Sequence, residues 1–386
     1  MKIVVDENIS YGKEAFENLG EVELIPGREI TNKCLLDKDA LIVRSITKVN
    51  KDLLEKTKVR FVGTATIGTD HIDEEYLSKE RIKFGYAPGC NSYAVTEYVY
   101  SAITYIANKY NLNIEKMSLG IIGYGNVGTK IEVVAKALGL KIVINDPPLE
   151  RTTKNKKLST LEEALSCDIV TFHVPLNLEG IDKTVHLLNE KNISLIKNKA
   201  ILINASRGPV FDNNVLKNKL KEKNNVFAVL DVWEKEPDYD LELMELVEIG
   251  TPHIAGYSFE GKANGTTMIY EQLCEHLDIK PNWIPKLPDA PDSIIDLKGK
   301  VKKLERLKAL FDKSYQIKND DLLMREASNF TNEEKTAHFD SLRKNYRLRR
   351  ELINYQVRID SSNKTNSKIL STLRLTVLDE KFSTFL

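Results

Sequence analysis

The sequence predicts an α/β protein, with two doubly wound parallel-sheet domains followed by a small α+β C-terminal domain. Three observations carry that reading. In the first hundred residues short β-rich runs ("KIVV", "ALIV", "RFVG", "IKFGY") alternate with polar or helical segments, the rhythm of a parallel sheet with crossover helices. A second alternating run opens with "MSLGIIGYGNVG" and continues through "CDIVTFHVP", "KAILINASRG", "NNVFAVLDVWEKEP" and "VEIGTPHIAGYS". The chain has 386 residues, more than one ordinary domain of ~100–200 residues holds.

The elements follow in order. Between the two runs, "SYAVTEYVYSAITYIAN" (92–108) is long, mostly apolar and free of Gly and Pro, which predicts a largely buried helix. Ser159 and Thr160, followed three residues later by Glu162 and Glu163, offer a capping box that starts another helix. "FEGKANGTTMIYEQLCEHL" predicts a helix that returns to the first domain, and the prolines of 281–291 mark a linker. The expected division is therefore 1–92 with 258–285, 93–257, and a charge-rich 286–386.

Composition narrows the function classes. Lys+Arg 56 balances Asp+Glu 56, so no global field favours nucleic acid or an anionic membrane, and any anion site must be built locally. Asp6 interrupts the N-terminal apolar residues too early for a signal peptide, and no apolar run approaches a span of ~20 residues; a cytoplasmic chain is expected. The four cysteines form no C-x-x-C pair, which predicts reduced thiols and no structural metal.

The most specific motif is Gly123-Tyr-Gly125-Asn126-Val127-Gly128, set between an apolar strand run and a helical pattern. In that setting Gly123 permits the turn, Gly125 admits a pyrophosphate to the helix N-terminus, and Gly128 lets helix and strand pack closely. Asp146 follows 18 residues beyond Gly128. A carboxylate there accepts from ribose hydroxyls and repels a 2′-phosphate, which selects NAD over NADP. Thr129, where a P-loop needs Lys, excludes that alternative.

Three further residues end strands or open the loops after them: Arg207 after "KAILINASRG", Glu236 after "VFAVLDVW", and His253 after "VEIGTP". Oxidation of a 2-hydroxy acid needs a cation for the carboxylate, a base for the hydroxyl proton and a group that orients the base. Arg207, His253 and Glu236 supply these in turn. Singly, each also suits an ordinary loop; their joint placement after a dinucleotide motif selects the chemistry. His71, in "GTDHID", lacks helical ligand spacing and reads as a structural loop residue.

In this order "GIIGYGNVG", "INASRGPVFD", "LDVWEKEP" and "TPHIAGYS" resemble the D-isomer-specific 2-hydroxyacid dehydrogenases. "FVGTATIGTDHID", "APGCNSYAVTEYV" and "LRKNYRLRRE" are similar to a branch that acts on a phosphorylated acid, as a homodimer with an added C-terminal domain. The resemblance implies substrate contacts at Ser45, Thr66 and Tyr257, with Arg44 favouring phosphate, and NAD contacts at Asn126, Val127, Asp146, Val174, Ala205, Ser206, Arg207, Asp231 and Gly256. It implies a substrate domain for 1–92 with 258–285, an NAD-binding Rossmann domain for 93–257 and a dimerisation domain for 286–386, while the tail 361–386 departs from the pattern. Two alternatives stay open: another 2-hydroxy acid such as 3-phosphoglycerate, or a non-enzymatic NAD-sensing scaffold of the corepressor kind. On a helix, Arg343, Arg347 and Arg350 would share one face, and one of them is expected to reach a substrate site.

Overall fold

A computed structural model of the chain describes residues 1–153, 158–222, 226–299, 302–347, 349–359 and 367–378; most of the tail 361–386 lies outside them. The chain divides into two compact units, Met1–Asn91 with Ser258–Pro288, and Ser92–Tyr257 with Asp289–Leu386.

The first unit holds β1 (Lys2–Asp6), β2 (Glu21–Ile25), β3 (Ala40–Val43), β4 (Phe61–Thr64) and β5 (Lys83–Tyr86), all parallel in the order β2-β1-β3-β4-β5. β2 escapes the sequence patterns because it is an edge strand, with Glu21 and Glu23 exposed rather than a continuous apolar run. The helix Phe259–His276 contributes Ile269, Tyr270 and Leu273 to the core formed with Ile3, Val5, Ile42 and Phe61.

The second unit is built on β6 (Ser118–Ile122), β7 (Lys141–Asn145), β8 (Ile169–Phe172), β9 (Ile201–Asn204), β10 (Phe227–Leu230) and β11 (Ile249–Gly250), parallel in the order β11-β10-β9-β8-β6-β7. The predicted helix at 92–108 is Ser92–Lys109, buried along most of its length. Of the two capping boxes, the one at Thr160 and Glu163 forms; Ser159 instead gives its N–H to Ile144.

A small parallel sheet, β12 (Ile294–Asp296), β13 (Gln356–Arg358) and β14 (Thr376–Val377), belongs to the same unit. Its Ile295 and Val357, with Leu310, Phe311, Tyr315 and Leu352, join one apolar cluster with Tyr98, Tyr100, Ile103 and the sheet residues Ile121 and Ile203. The helix expected across 342–351 stops short: Asn332–Lys344 ends at Asn345, and the arginines beyond it diverge. Arg347 pairs with Asp320, Arg349 with Glu97, and Arg350 with Asn354. Partners from other elements outbid the helical register.

Candidate active site

The carboxyl ends of the six large-sheet strands are in register. Ile122 pairs with Asn145 and Phe172, Asn204 with Phe172 and Leu230, and Leu230 with Gly250. The residues that follow, Gly123, Asp146, His173, Ala205, Asp231 and Thr251, therefore leave the sheet along one edge, the edge at which open parallel sheets take ligands. Strand order reverses between β6 and β8, and Gly123 turns there with a φ of 90°. A Cβ on it would stand 2.4 Å from the His173 carbonyl oxygen.

The helix Asn126–Leu138 begins at Gly125 with no side chain capping it, and nothing lies within 4 Å of a Cβ placed on Gly125. Its first N–H groups are thus presented to an anion, with Asn126 exposed beside them. Asp146, at the end of β7, accepts the N–H groups of Tyr124 (2.7 Å) and Leu149 (2.9 Å). One donor per oxygen leaves lone pairs for ribose hydroxyls. This cradle fits a dinucleotide.

Farther along the edge, Glu236 Oε2 lies 2.7 Å from His253 Nδ1, while its Oε1 accepts the Trp233 N–H at 2.7 Å. Burial pushes the Glu236 carboxyl up, but His253, the Trp233 N–H and Arg343 together outweigh it and hold the group below the usual range. His253 adopts a left-handed conformation (φ 56°) and gives its backbone N–H to the Asp231 carbonyl. The buried Asp231 carboxylate accepts from Ile254 N–H (2.8 Å), Ala255 N–H (2.9 Å) and the Thr251 hydroxyl (2.6 Å). Tyr315 adds a hydrogen bond to the Ile254 carbonyl at 2.6 Å.

Arg207 leaves β9 with Nη1 donating to the Ser206 carbonyl at 2.8 Å, and Ser206 is tied to Asn204 through its N–H and hydroxyl. Gly208 stands where a Cβ would come 1.9 Å from the Trp233 carbonyl oxygen. Only glycine lets the Arg207 loop and the Glu236 loop meet so closely.

A family model for the D-isomer specific 2-hydroxyacid dehydrogenase NAD binding domain matches residues 101–255, and a domain of unknown function (DUF3410) matches 286–373. The chain is 43% identical over 377 residues to an erythronate-4-phosphate dehydrogenase of Photorhabdus laumondii, covering 97% of this chain and 98% of the relative. It is 44% identical over 364 residues to one of Cronobacter sakazakii, covering 93% and 94%. The chain belongs to the erythronate-4-phosphate dehydrogenase family. Among solved structures, an NAD+-bound 3-phosphoglycerate dehydrogenase of Entamoeba histolytica shares the fold at 24% identity and a TM-score of 0.62, covering 74% of this chain and 99% of that one.

As a member of that family the chain is an NAD-dependent oxidoreductase, and the cradle from Gly123 to Gly128 with Asp146 is in its NAD-binding domain. Every nucleotide-binding residue expected from the sequence, including Val174, Ala205, Ser206, Asp231 and Gly256, lies in the second unit, as do Arg207, Glu236, His253 and Tyr257. In the first unit, Ser45 is exposed just past β3, and Thr66 donates to the Gly68 carbonyl at 3.0 Å. Arg44 Nε is held 3.2 Å from the buried Asp6 carboxylate. His71 Nε2 lies 3.0 Å from the Thr64 hydroxyl, a loop role. The four cysteines are free thiols, and among the described residues no helix is long and apolar enough to cross a membrane. Sequence reasoning missed the supports beneath the pair: Trp233, Thr251, Asp231 as their anchor, and Tyr315. Asp231, Trp233 and Thr251 lie inside the motif stretches "LDVWEKEP" and "TPHIAGYS", but only the fold shows that they brace the pair, and Tyr315 comes from a distant segment with no motif.

Proposed function

We propose that this chain oxidises 4-phospho-D-erythronate at C2 to (R)-3-hydroxy-2-oxo-4-phosphooxybutanoate, in pyridoxal 5′-phosphate (vitamin B6) biosynthesis. The observation that carries the residue roles is the 2.7 Å contact between Glu236 and His253. An ionised Glu236 keeps the proton of a neutral imidazole on Nδ1, leaving Nε2 bare to accept the C2 hydroxyl proton. The carbonyl forms as the C2–H electron pair leaves. Bound NAD supplies the acceptor for that hydride. Arg207 offers a planar fork to the substrate carboxylate, and Tyr257, four residues beyond His253, lines the same loop. On this reading the first unit holds substrate through Arg44, Ser45 and Thr66, and residues 286–386 join two copies in the cytoplasm. The exposed Leu322, Leu323 and Phe330 of that segment support the last point.

The test is NADH fluorescence on adding phosphorylated and plain 2-hydroxy acids to purified protein. Turnover should favour the phosphorylated four-carbon acid, and His253→Asn should lower it by about 100-fold or more with NAD affinity kept. A preference for 3-phosphoglycerate would reassign the substrate. No turnover on any acid would turn the reading into that of a cofactor-sensing scaffold.

A further inference from the structure

The C-terminal segment, which a domain of unknown function matches over residues 286–373, sends one arginine to Tyr257 in the loop after β11. The helix Asn332–Lys344 opens with a capping box between Thr331 and Glu334 and seats Phe339 against Tyr239, with ring centroids 5.7 Å apart. One turn earlier, Lys335 donates to the Tyr239 carbonyl at 2.8 Å and pairs with Asp238 at 2.6 Å. The helix is thereby pinned to the loop that carries Glu236. One turn after Phe339 comes Arg343, whose guanidinium lies 6.0 Å from the Tyr257 ring centre and 5.8 Å from that of Phe339. Its charge is felt at Glu236.

Arg343 differs from the arginines that follow it. Arg347 takes the two carboxylate oxygens of the buried Asp320, and Arg349 is buried against Glu97 and the Ala94 carbonyl. Those two are committed to the fold. Arg343 Nε, like that of Arg349, is buried with no hydrogen-bond partner, a cost normally avoided unless a ligand or water completes the site, and of the two it is Arg343 that lies beside Tyr257.

We propose that Arg343 is a specificity-determining residue through which the C-terminal segment supplies a guanidinium beside Tyr257 and the Glu236–His253 pair to bind the phosphate of the substrate. The proposal rests on the reading of a phosphorylated 2-hydroxy acid given above. In a protein with no net charge the cation must be delivered locally, and a guanidinium fork matches phosphate geometry.

The experiment compares 4-phosphoerythronate with erythronate on wild type, Arg343→Gln and Arg343→Lys, with NAD affinity and melting midpoint as checks on folding. Gln keeps the first methylenes of the side chain and removes the charge. It should raise KM for the phosphorylated acid by about 10-fold or more, the scale of one charged hydrogen bond, beyond whatever change erythronate shows, because the part Arg343 plays at Glu236 falls on both acids alike. Lys should recover part of the loss, and inorganic phosphate should weaken as a competitive inhibitor of the Gln variant. Equal losses on both acids would overturn the phosphate role while wild-type preference for the phosphorylated acid keeps the substrate reading intact. A wild type indifferent to the phosphate would overturn both. If the Gln variant did not fold, Lys alone decides: a KM rise confined to the phosphorylated acid supports the proposal, and a rise on both acids overturns it.

Discussion

Glu236 stays ionised because its neighbours compensate for burial, and the same loop holds His253 in a backbone conformation that non-glycine residues seldom adopt. The three donors converging on Asp231 keep that conformation in place. The positions of Arg207, Glu236 and His253 just past strand ends were legible in the sequence because each follows an apolar strand run. Arg343 was legible only as one of several basic residues, since which of them meets Tyr257 depends on where a helix stops. His173 shows the reverse case, a residue with no sequence signal and a strong physical one. Its Nε2 meets the Thr171 hydroxyl at 2.8 Å and its Nδ1 is buried without a partner. Burial pushes its pKa down to about 3. Below pH ~6.5 the unfolded chain therefore binds a proton that the folded chain refuses, so stability falls as pH drops towards 3, by up to ~1.4 kcal/mol per pH unit. In a Trp283→Phe background, Trp233 is the sole tryptophan and reports on the second unit. Urea unfolding followed by its fluorescence should lose about 2 kcal/mol between pH 6.5 and 5, and His173→Gln should flatten that slope. A slope unchanged in the variant would assign the acid sensitivity to other groups.

Among the elements, buried strands such as β3 and β9 were legible because continuous apolar runs bounded by turns have few other uses. The edge strand β2 and the short β12 to β14 were not, because half-exposed strands carry no such run. The segment after Lys344 reads as helical by spacing, yet long-range ion pairs decide its path. Arg349 and Glu97 are both buried and lie 3.4 Å apart. Glu97 also accepts the Leu352 N–H at 2.8 Å and meets Arg374 at 3.5 Å. Burial pushes the Glu97 carboxyl up, with Arg349 pulling against it. Replacing Arg349 by Met should then cost about 3–5 kcal/mol, because it strands Glu97 in the core. Adding Glu97→Gln should restore part of that loss, a coupling that denaturation of the single and double variants measures. Additive losses would mean that the two side chains act independently.

Over the whole molecule, a sequence that looks like a fold plus an appendage has an appendage sharing the core of that fold. Tyr100 stacks with Phe311 at 5.8 Å between centroids, Tyr98 meets Tyr315 edge-on at 5.4 Å, and the four rings are fully or almost fully buried. The sequence could not reveal this, because the helix Ser92–Lys109 is apolar nearly all round and so does not say which partner covers each face. Cutting the chain after Lys286 would expose Tyr98, Tyr100, Ile103 and their neighbours to water. At about 1.5–3 kcal/mol for each large side chain uncovered, a handful of them matches the ~5–15 kcal/mol that holds a typical domain folded. The truncated chain should therefore lose NAD binding and cooperative melting and bind a hydrophobic dye, instead of persisting as a soluble monomer with its nucleotide site intact. A truncated protein that melted cooperatively and bound NAD with unchanged affinity would show that the C-terminal segment is an independent module laid on a finished core.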